Sequence, residues 1–477
     1  MAIRCLVYGK CTVSSHPFFV LFLHHRCHSP SPMASNTTAT ALREQLSKLS
    51  GLLSLPNQQS PDSQGDLEQQ RNIAQRKLND LLDPMQRFPP ELIAAIFLRC
   101  LPDQRTVDFQ VAPLALLHVC HSWRHFAETL PALWTELIVD TDRMNSEGYN
   151  SMVESWISRA GGRPLALSLK GHETHTPRVL EVVDGCAEQI QALRLDLSSP
   201  EDLGATVALR TFPSMTNLTL ARANQWYYDS DDEADEYPWS DSWEQDATVF
   251  IRMLNAAANL VECRLVQIND FTNPPPHIFT HSTLTHLHLG RFPGVDVSSS
   301  SAYMLSYLTL PALEHLTMAS CDLEFQPFSD FLTRSSHPLR CLHMIMELQD
   351  VTPEQFLALI PNVVELHLFS VDPAFNCSLV EAIGTGLLPK IRCLTIGAVY
   401  PGVRAHYLRI LDALGALCAR SHDISSFSFL WNVTSSSEDG RDVYAELTPE
   451  IRAEMRGFVE KGVQVYVGSF FERKNYL

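Results

Sequence analysis

The feature that most constrains how this chain folds is a short pattern, apolar-x-x-apolar-x-apolar, that recurs from residue 131 onward. Alternate side chains of a strand point to the same side, so each copy predicts a short strand with one buried face. The copies are Ile190-Leu193-Leu195, Met215-Leu218-Leu220, Leu260-Cys263-Leu265, Leu284-Leu287-Leu289, Leu313-Leu316-Met318, Leu339-Leu342-Met344, Val363-Leu366-Leu368, Ile391-Leu394-Ile396 and Ile424-Phe427-Phe429. We therefore predict a series of similar strands that share one core.

The spacing of these copies, together with helix-start signals between them, indicates the fold class. Successive copies start 24 to 33 residues apart, except for one interval of 45, and the period resembles the roughly 20 to 29 residues of a leucine-rich repeat. The segments Thr352 to Gln355 and Ser378 to Glu381 are typical capping boxes, so each predicts a helix start. Thr448 to Glu450 predicts another helix, which Gly462 ends before an apolar strand, Val463 to Val467. We predict an α/β fold in which residues 135–477 form an irregular leucine-rich-repeat solenoid.

Two segments precede residue 86. Residues 1–41 are predicted to be a disordered or targeting-like extension, because no acidic residue occurs before Glu44 and the apolar run is too short for a membrane span. The sequence leaves open whether translation starts at Met1 or Met33. Residues 42–85 have leucines at helical spacing on both sides of a break, which predicts two short amphipathic helices.

Charge narrows the range of partners. The formal net charge is -18, and no basic stripe interrupts it, so we expect no nucleic-acid partner. Much of the acidity lies in an insertion, residues 224–246, with nine acidic residues and no basic one. A segment of this composition cannot bury enough apolar surface to fold, so we predict a solvated loop whose role stays open. No segment of the chain has membrane-spanning length, and we expect no membrane partner.

Cysteine usage indicates the compartment, and the lack of catalytic motifs limits the classes of function. The 12 cysteines are scattered without a CxxC pair, which favours a reducing compartment, either cytoplasm or nucleus. The sequence contains no Gly-rich phosphate loop, no HExxH and no GxSxG, so we predict that the chain is not an enzyme and takes no cofactor.

The segment 86–134 contains the residues that carry the functional argument. A proline-led helix start at Phe88 to Phe97 has a broad apolar face, and a second apolar stretch, Leu114 to Val119, leads into Cys120 to Phe126. Helices this short cannot bury an apolar stripe alone. They must therefore pack on the rest of the chain, on another protein, or on both.

These residues resemble the F-box. The positions that match its consensus are Pro89, Glu91, Leu92, Ile96, Phe97, Leu114, Leu117, Val119, Cys120, Trp123 and Arg124. Leu133-Trp134 and the segments 154–161 and 163–165 resemble the region that comes after the F-box in the large family of fungal, mostly mushroom-type, F-box proteins. The resemblance covers residues 66–170, and beyond them only the repeat character matches.

The resemblance implies a substrate-recognition subunit of a Skp-cullin-F-box ubiquitin ligase. The F-box would dock on a Skp-type adaptor and, through it, a cullin, and the solenoid would bind an unknown protein substrate. The residues implied for adaptor docking are Pro89, Glu91, Leu92, Ile93, Ile96, Phe97, Leu114, Leu117 and Val119. We expect Trp123 and Trp134 to be core residues. Two alternatives remain: a helical cap on the first repeat, and a non-catalytic leucine-rich-repeat scaffold without adaptor docking.

The residues between the buried positions of each strand form outward-facing columns, because neighbouring strands stack about 4.8 Å apart. Two adjacent columns contain five histidines over four successive repeats. The residues that we predict to bind substrate there are Arg264, His286, His288, His315, His343, Glu365 and His367. A pH-sensitive or metal-responsive surface and a polar face of neutral histidines are both compatible with the pattern. We predict no metal site, because tight ligand spacing along the chain is lacking.

Overall fold

A computed structural model describes residues 32–54, 61–82, 85, 88–171, 177–197, 210–222, 247–266, 277–290, 301–322, 325–336, 338–347, 351–370, 372–398, 409, 412–413, 415, 424–431 and 449–469. The protein is a mixed α/β protein with a large parallel sheet. It divides into two compact units, the first comprising Met1–Val139 with Ser146–Leu165 and the second Asp140–Asn145 with Ala166–Leu477.

The first unit is mainly helical. Its elements, in chain order, are α1 (Pro32–Leu53), α2 (Pro61–Leu82), α3 (Pro90–Arg99), a 3-10 helix (Leu114–His118), α4 (His121–Glu128), a 3-10 turn (Pro131–Leu133), β1 (Glu136–Asp140) and α5 (Glu147–Ala160). The two helices predicted before residue 86 are confirmed as α1 and α2. Helix α1 begins at Pro32, so residues 32–41 of the predicted extension are helical. Residues 1–31 lie outside the described residues.

Local sequence explains where α3 begins and where α5 ends. The proline-led start predicted for α3 is confirmed: Pro89 is the N-cap, Pro90 occupies the first turn and Glu91 adds an acidic residue there. Helix α5 ends at Gly161, whose φ of 61° is a left-handed conformation that glycine adopts at little cost. Both helices therefore have a local reason in the sequence for one of their boundaries.

Two tryptophans form the centre of the first unit. Trp134 and Trp156 are fully buried, with ring centroids 5.0 Å apart in an edge-to-face arrangement. Each indole N–H has an acceptor: Trp134 Nε1 donates to the carbonyl oxygen of Ala127 at 2.8 Å, and Trp156 Nε1 donates to that of Trp134 at 3.1 Å. The guanidinium of Arg159 lies 4.8 Å from the centroid of the Trp134 ring. The prediction that Trp134 is a core residue is confirmed.

The second unit alternates strands with helices. Its elements, in chain order, are β2 (Leu165–Gly171), α6 (Pro177–Cys186), β3 (Ile190–Leu197), β4 (Asn217–Arg222), α7 (Ala247–Ala256), β5 (Glu262–Val266), β6 (Phe279–Thr280), β7 (His286–Gly290), a 3-10 helix (Ser301–Tyr307), β8 (Leu308–Thr309), β9 (His315–Asp322), α8 (Phe325–Ser335), β10 (Cys341–Glu347), α9 (Pro353–Ala358), β11 (Glu365–Ser370), α10 (Pro373–Gly384), β12 (Cys393–Ala398), β13 (Ser426–Trp431), α11 (Pro449–Glu460) and β14 (Gln464–Ser469).

Neighbouring strands of the large sheet follow one another in the sequence. From β2 onward the order is β2-β3-β4-β5-β7-β9-β10-β11-β12-β13-β14, while β6 pairs with β8 in a separate two-stranded sheet. The described pairs from β3 to β14 are parallel. All nine strands predicted from the repeated motif are confirmed, and so is the last strand, β14.

Of the two predicted capping boxes, one is confirmed and one is wrong. The capping box at Thr352 is confirmed: its side chain accepts from the backbone N–H of Gln355, whose side chain accepts from the backbone N–H of Thr352. The second predicted box is wrong, because Ser378 lies inside α10. That helix instead begins at Asp372, whose side chain accepts from the backbone N–H of Ala374, with Pro373 in the first turn.

Four strands were not predicted, and one predicted segment lies outside the described residues. The strands β1, β2, β6 and β8 were not among the strands predicted from the repeated motif. The acidic insertion, residues 224–246, lies outside the described residues. Among the described helices, none combines the length and the hydrophobicity that crossing a membrane would need.

The second unit has a continuous apolar core. The central motif residue of each strand, from Leu193 in β3 to Phe427 in β13, is at most 4% exposed. Helices α8 and α9 add aromatic side chains, and the rings of Phe328 and Phe356 lie 6.4 Å apart. Burying one such row on every strand fixes the register, since a shift by one residue would expose it.

A close approach between β11 and β12 on the outward face supplies a test of how these two strands pack. A Cβ added at Gly397 would overlap the ring of Phe369. We expect Gly397→Ala to lower the free energy of unfolding by about 1 to 3 kcal/mol, because the ring must move within a packed surface. Urea denaturation followed by circular dichroism measures the change.

The matched control is Gly457→Ala in α11, where an added Cβ meets no other atom within 4 Å. This change should raise the free energy of unfolding by about 0.5 to 1 kcal/mol, because alanine favours helix more than glycine does. Equal stability of Gly397→Ala and the wild-type protein would contradict the described packing of β11 on β12.

Candidate functional site

Helix α3 has two apolar stripes that face different surroundings. Residues four apart lie on the same side of a helix. Phe97 is fully buried and Ile93 is half-buried, so this stripe faces the core of the first unit. Leu92 and Ile96 form the other stripe and remain 43% and 38% exposed. One short helix therefore both packs inward and presents apolar side chains to solvent.

The inward stripe of α3 is held by residues from α4. The Phe97 ring lies 5.1 Å from that of Trp123 and 5.6 Å from that of Phe126, measured between centroids. Arg124 Nε donates to the carbonyl oxygen of Leu117 at 2.9 Å, which ties α4 to the preceding 3-10 helix. Trp123 is half-buried, so the prediction that it is a core residue is confirmed only in part.

The structure distributes the nine residues predicted for adaptor docking between surface and core. The exposed ones are Pro89, Glu91, Leu92, Ile96 and Val119, Ile93 is half-buried, and the buried ones are Phe97, Leu114 and Leu117. The side chains of the three buried residues lie in the core of the first unit, so in the free chain they offer little surface to a partner.

Exposed apolar side chains are concentrated around α3. Six of the large hydrophobic residues that are exposed in the described part of the chain fall between residues 88 and 119, and they are Phe88, Leu92, Ile96, Leu98, Phe109 and Val119. Single exposed hydrophobic residues need no explanation, whereas a concentration of them is typical of a protein-binding surface. Phe88, Leu98 and Phe109 were not among the predicted docking residues.

The two outward columns predicted from the sequence are confirmed by the strand register. In one column, Arg264 pairs with His288, His288 with Thr317, Thr317 with His343, and His343 with His367. In the other column, Glu262 pairs with His286, His286 with His315, His315 with Cys341, and Cys341 with Glu365. We call the five histidines His286, His288, His315, His343 and His367 the histidine patch.

The histidine patch contains two ring pairs. The rings of His286 and His315 stack with centroids 4.2 Å apart and an interplanar angle of 6°. The rings of His343 and His367 lie 5.5 Å apart and are tilted by 43°. The predicted substrate-binding residues are thereby brought onto adjacent strands, from Arg264 on β5 to Glu365 and His367 on β11.

A carboxylate that was not among the predicted site residues organises one end of the patch. Glu262 accepts from Arg264 Nε at 2.6 Å and from Asn217 Nδ2 at 2.8 Å, and its Oε1 lies 3.7 Å from His288 Nε2. Burial opposes ionisation of Glu262, but the hydrogen bond and the charge of Arg264 outweigh it and hold its pKa below the usual value. Its place in the His286 column was the sequence signal for this residue.

Burial keeps four histidines of the patch, His286, His288, His343 and His367, neutral near pH 7. Burial lowers the pKa of His286, His288 and His367, because the charged imidazolium loses hydration. Burial, with His367 and His288 nearby, lowers the pKa of His343 to about 4. The patch therefore offers neutral imidazoles, which donate and accept hydrogen bonds and present flat faces for packing.

A thiol lies in the same face. Cys341 is half-buried next to Glu365, and burial together with that carboxylate raises the pKa of the thiol to about 11. The side chain is therefore a protonated thiol near neutral pH in the free chain.

Comparison with known proteins adds no relative: no protein-family model, curated protein or solved structure matches this chain. The described geometry is therefore the basis on which a function can be proposed.

The lowered pKa of His343 predicts a pH dependence of stability. Between pH 6.5 and about 4 the unfolded chain binds a proton at this histidine and the folded chain does not. The free energy of unfolding should therefore fall as the pH decreases through this window. His343→Gln should show a smaller fall between pH 7 and pH 5, measured by urea denaturation at both values. An identical pH dependence in the variant and the wild-type protein would count against a neutral, half-buried His343.

Proposed function

We propose that this chain is a substrate-recognition subunit of a Skp-cullin-F-box ubiquitin ligase. The observation that carries the proposal is the outward stripe of α3, in which Leu92 and Ile96 are exposed although the opposite stripe of the same helix is packed. These two residues belong to the segment that resembles the F-box. The stripe is proposed to dock on a Skp-type adaptor.

Docking would remove apolar surface of α3 from water. Burying a leucine or isoleucine side chain contributes about 1.5 to 3 kcal/mol. The helix is fixed before the partner arrives, because Phe97 packs against Trp123 and Arg124 holds the adjacent 3-10 helix. A preformed surface loses little conformational entropy on binding, which favours affinity.

The outward columns of the large sheet are the proposed substrate surface. Their side chains stand on hydrogen-bonded strands, so they are held in a fixed pattern. They combine neutral imidazoles with the Arg264–Glu262 ion pair, which suits a partner segment with both flat and polar groups. We propose that a protein substrate binds here.

In this scheme the chain acts by proximity. Binding of the substrate at one surface and of the adaptor at another raises the effective concentration of substrate lysines near an activated ubiquitin. No catalytic residue is then required from this chain. The second candidate function is a scaffold with the same sheet surface and no adaptor docking, and only the α3 stripe separates the two.

The adaptor test compares the full-length wild-type chain with Leu92→Glu plus Ile96→Glu, using the purified cognate Skp-type adaptor. The double variant should bind at least about 30-fold more weakly, equivalent to about 2 kcal/mol, because two charges would have to be buried at the interface. Isothermal titration calorimetry measures both affinities, and circular dichroism verifies equal folding.

The matched control is Val459→Glu, a substitution of an exposed apolar residue in α11 of the second unit. It should bind the adaptor as tightly as the wild-type chain. If the folded wild-type chain fails to bind the adaptor, the ligase proposal is wrong and the scaffold function takes its place.

The substrate surface is tested separately with His288→Ala plus His343→Ala. Candidate substrates are proteins that co-purify with the wild-type chain and the adaptor and that accumulate when the ligase is inhibited. We expect the double variant to lose these proteins while its affinity for the adaptor stays unchanged. Retention of every candidate by a folded double variant would remove the histidine patch from substrate binding.

A further inference from the structure

A group of three potential metal ligands lies on the outward face of β10 and β11. The Cys341 thiol, the Glu365 carboxylate and the His367 imidazole each offer one ligand atom, and these atoms all lie within 4.8 Å of one another. Among the described residues, no other group of three histidine, cysteine or carboxylate donors lies this close together. We infer that Cys341, Glu365 and His367 form a binding site for a divalent transition-metal ion, with Zn²⁺ as the preferred ion.

The backbone sets the positions of these three residues. Cys341 and Glu365 are register partners on adjacent parallel strands, and His367 follows Glu365 by two residues on the same face of β11. Strand pairing therefore brings the donors together without a loop that would have to become ordered. The expectation of no metal site rested on spacing along the chain, which does not reveal closeness between strands.

The donor set selects the type of ion. Thiolate sulfur and imidazole nitrogen favour Zn²⁺ over Mg²⁺ or Ca²⁺, and a carboxylate is also a common zinc ligand. Tetrahedral zinc places such donor atoms about 3.4 to 3.6 Å apart, as its bond lengths require. Side-chain rotations that shorten the present separations by up to roughly 1.4 Å would complete that geometry. Three protein ligands leave a fourth position for water.

The charge balance and the surroundings suit a divalent cation. Binding forms a Zn–S bond, breaks the S–H bond of Cys341 and releases its proton to solvent. The resulting thiolate and the Glu365 carboxylate then offset the two positive charges of the ion. The polar side chains that pair with the ligands on neighbouring strands are His315 on β9, His343 on β10, and Cys393 and Thr395 on β12. These pairings place no lysine or arginine directly opposite the ligands.

Cobalt provides the direct test, because tetrahedral Co²⁺ bound to a thiolate gives a charge-transfer absorption band that Co²⁺ in water lacks. The full-length chain, freed of metal by chelation and kept reduced, is titrated with Co²⁺ and then with Zn²⁺. We expect one Co²⁺ per chain with this band, and loss of the band as Zn²⁺ displaces the cobalt. Absence of the band in the folded wild-type chain overturns the inference.

Substitutions assign the ligands. Cys341→Ser should abolish the charge-transfer band, while Glu365→Gln and His367→Gln should weaken binding at least about 10-fold, since even the loss of outer-shell partners costs that much. The control Cys100→Ser removes an exposed thiol in the first unit and should leave the band and the affinity unchanged. A band that persists in Cys341→Ser would show that another thiol binds the ion and would overturn the assignment.

Experiments can refute the metal site without refuting the ligase function, and the reverse. Cys341→Ser leaves the α3 stripe intact, so its affinity for the Skp-type adaptor should equal that of the wild-type chain. Loss of the cobalt band with normal adaptor binding is therefore the result expected of this variant. A wild-type chain that binds the adaptor but no Co²⁺ would refute the metal site alone.

Discussion

The in-register pairing of the parallel strands from β3 to β14 is the constraint on which the rest of the second unit depends. Each strand buries its central motif residue, and this row of side chains fixes the register of the next strand. Once the register is fixed, the alternating residues fall into straight columns on the opposite face. The packing of the core therefore places the five histidines close to Glu262 and Cys341.

The sequence was sufficient for the strands that carry a full motif and for the outward columns, because a period of two residues determines both. It was insufficient for β6 and β8, because a strand of two residues is too short to show an alternation of buried and exposed side chains. The error at Ser378 has a different cause, since a serine followed by a glutamate three residues later also occurs inside helices. Side-chain contacts such as the stacked pair His286–His315 depend on rotamers, which no pattern in the sequence encodes.

Helix α3 shows another limit of prediction from sequence periodicity. Its apolar residues occupy most of the helix surface, and periodicity alone cannot tell which stripe faces the core. The structure separates them through Phe97, which packs between Trp123 and Phe126, and this leaves Leu92 and Ile96 outside. The residues that match the F-box consensus therefore divide into two roles, a core that holds the surface and a surface available to a partner. The sequence pattern alone does not distinguish the buried set from the exposed set.

The alternation of buried and outward residues on each strand also separates two kinds of evolutionary change. A substitution in the buried row affects the packing of its neighbours, and selection for folding restricts it. A substitution in an outward column leaves the register untouched, so the binding chemistry of the face can change one residue at a time. One architecture can therefore carry many different outward faces on the same core.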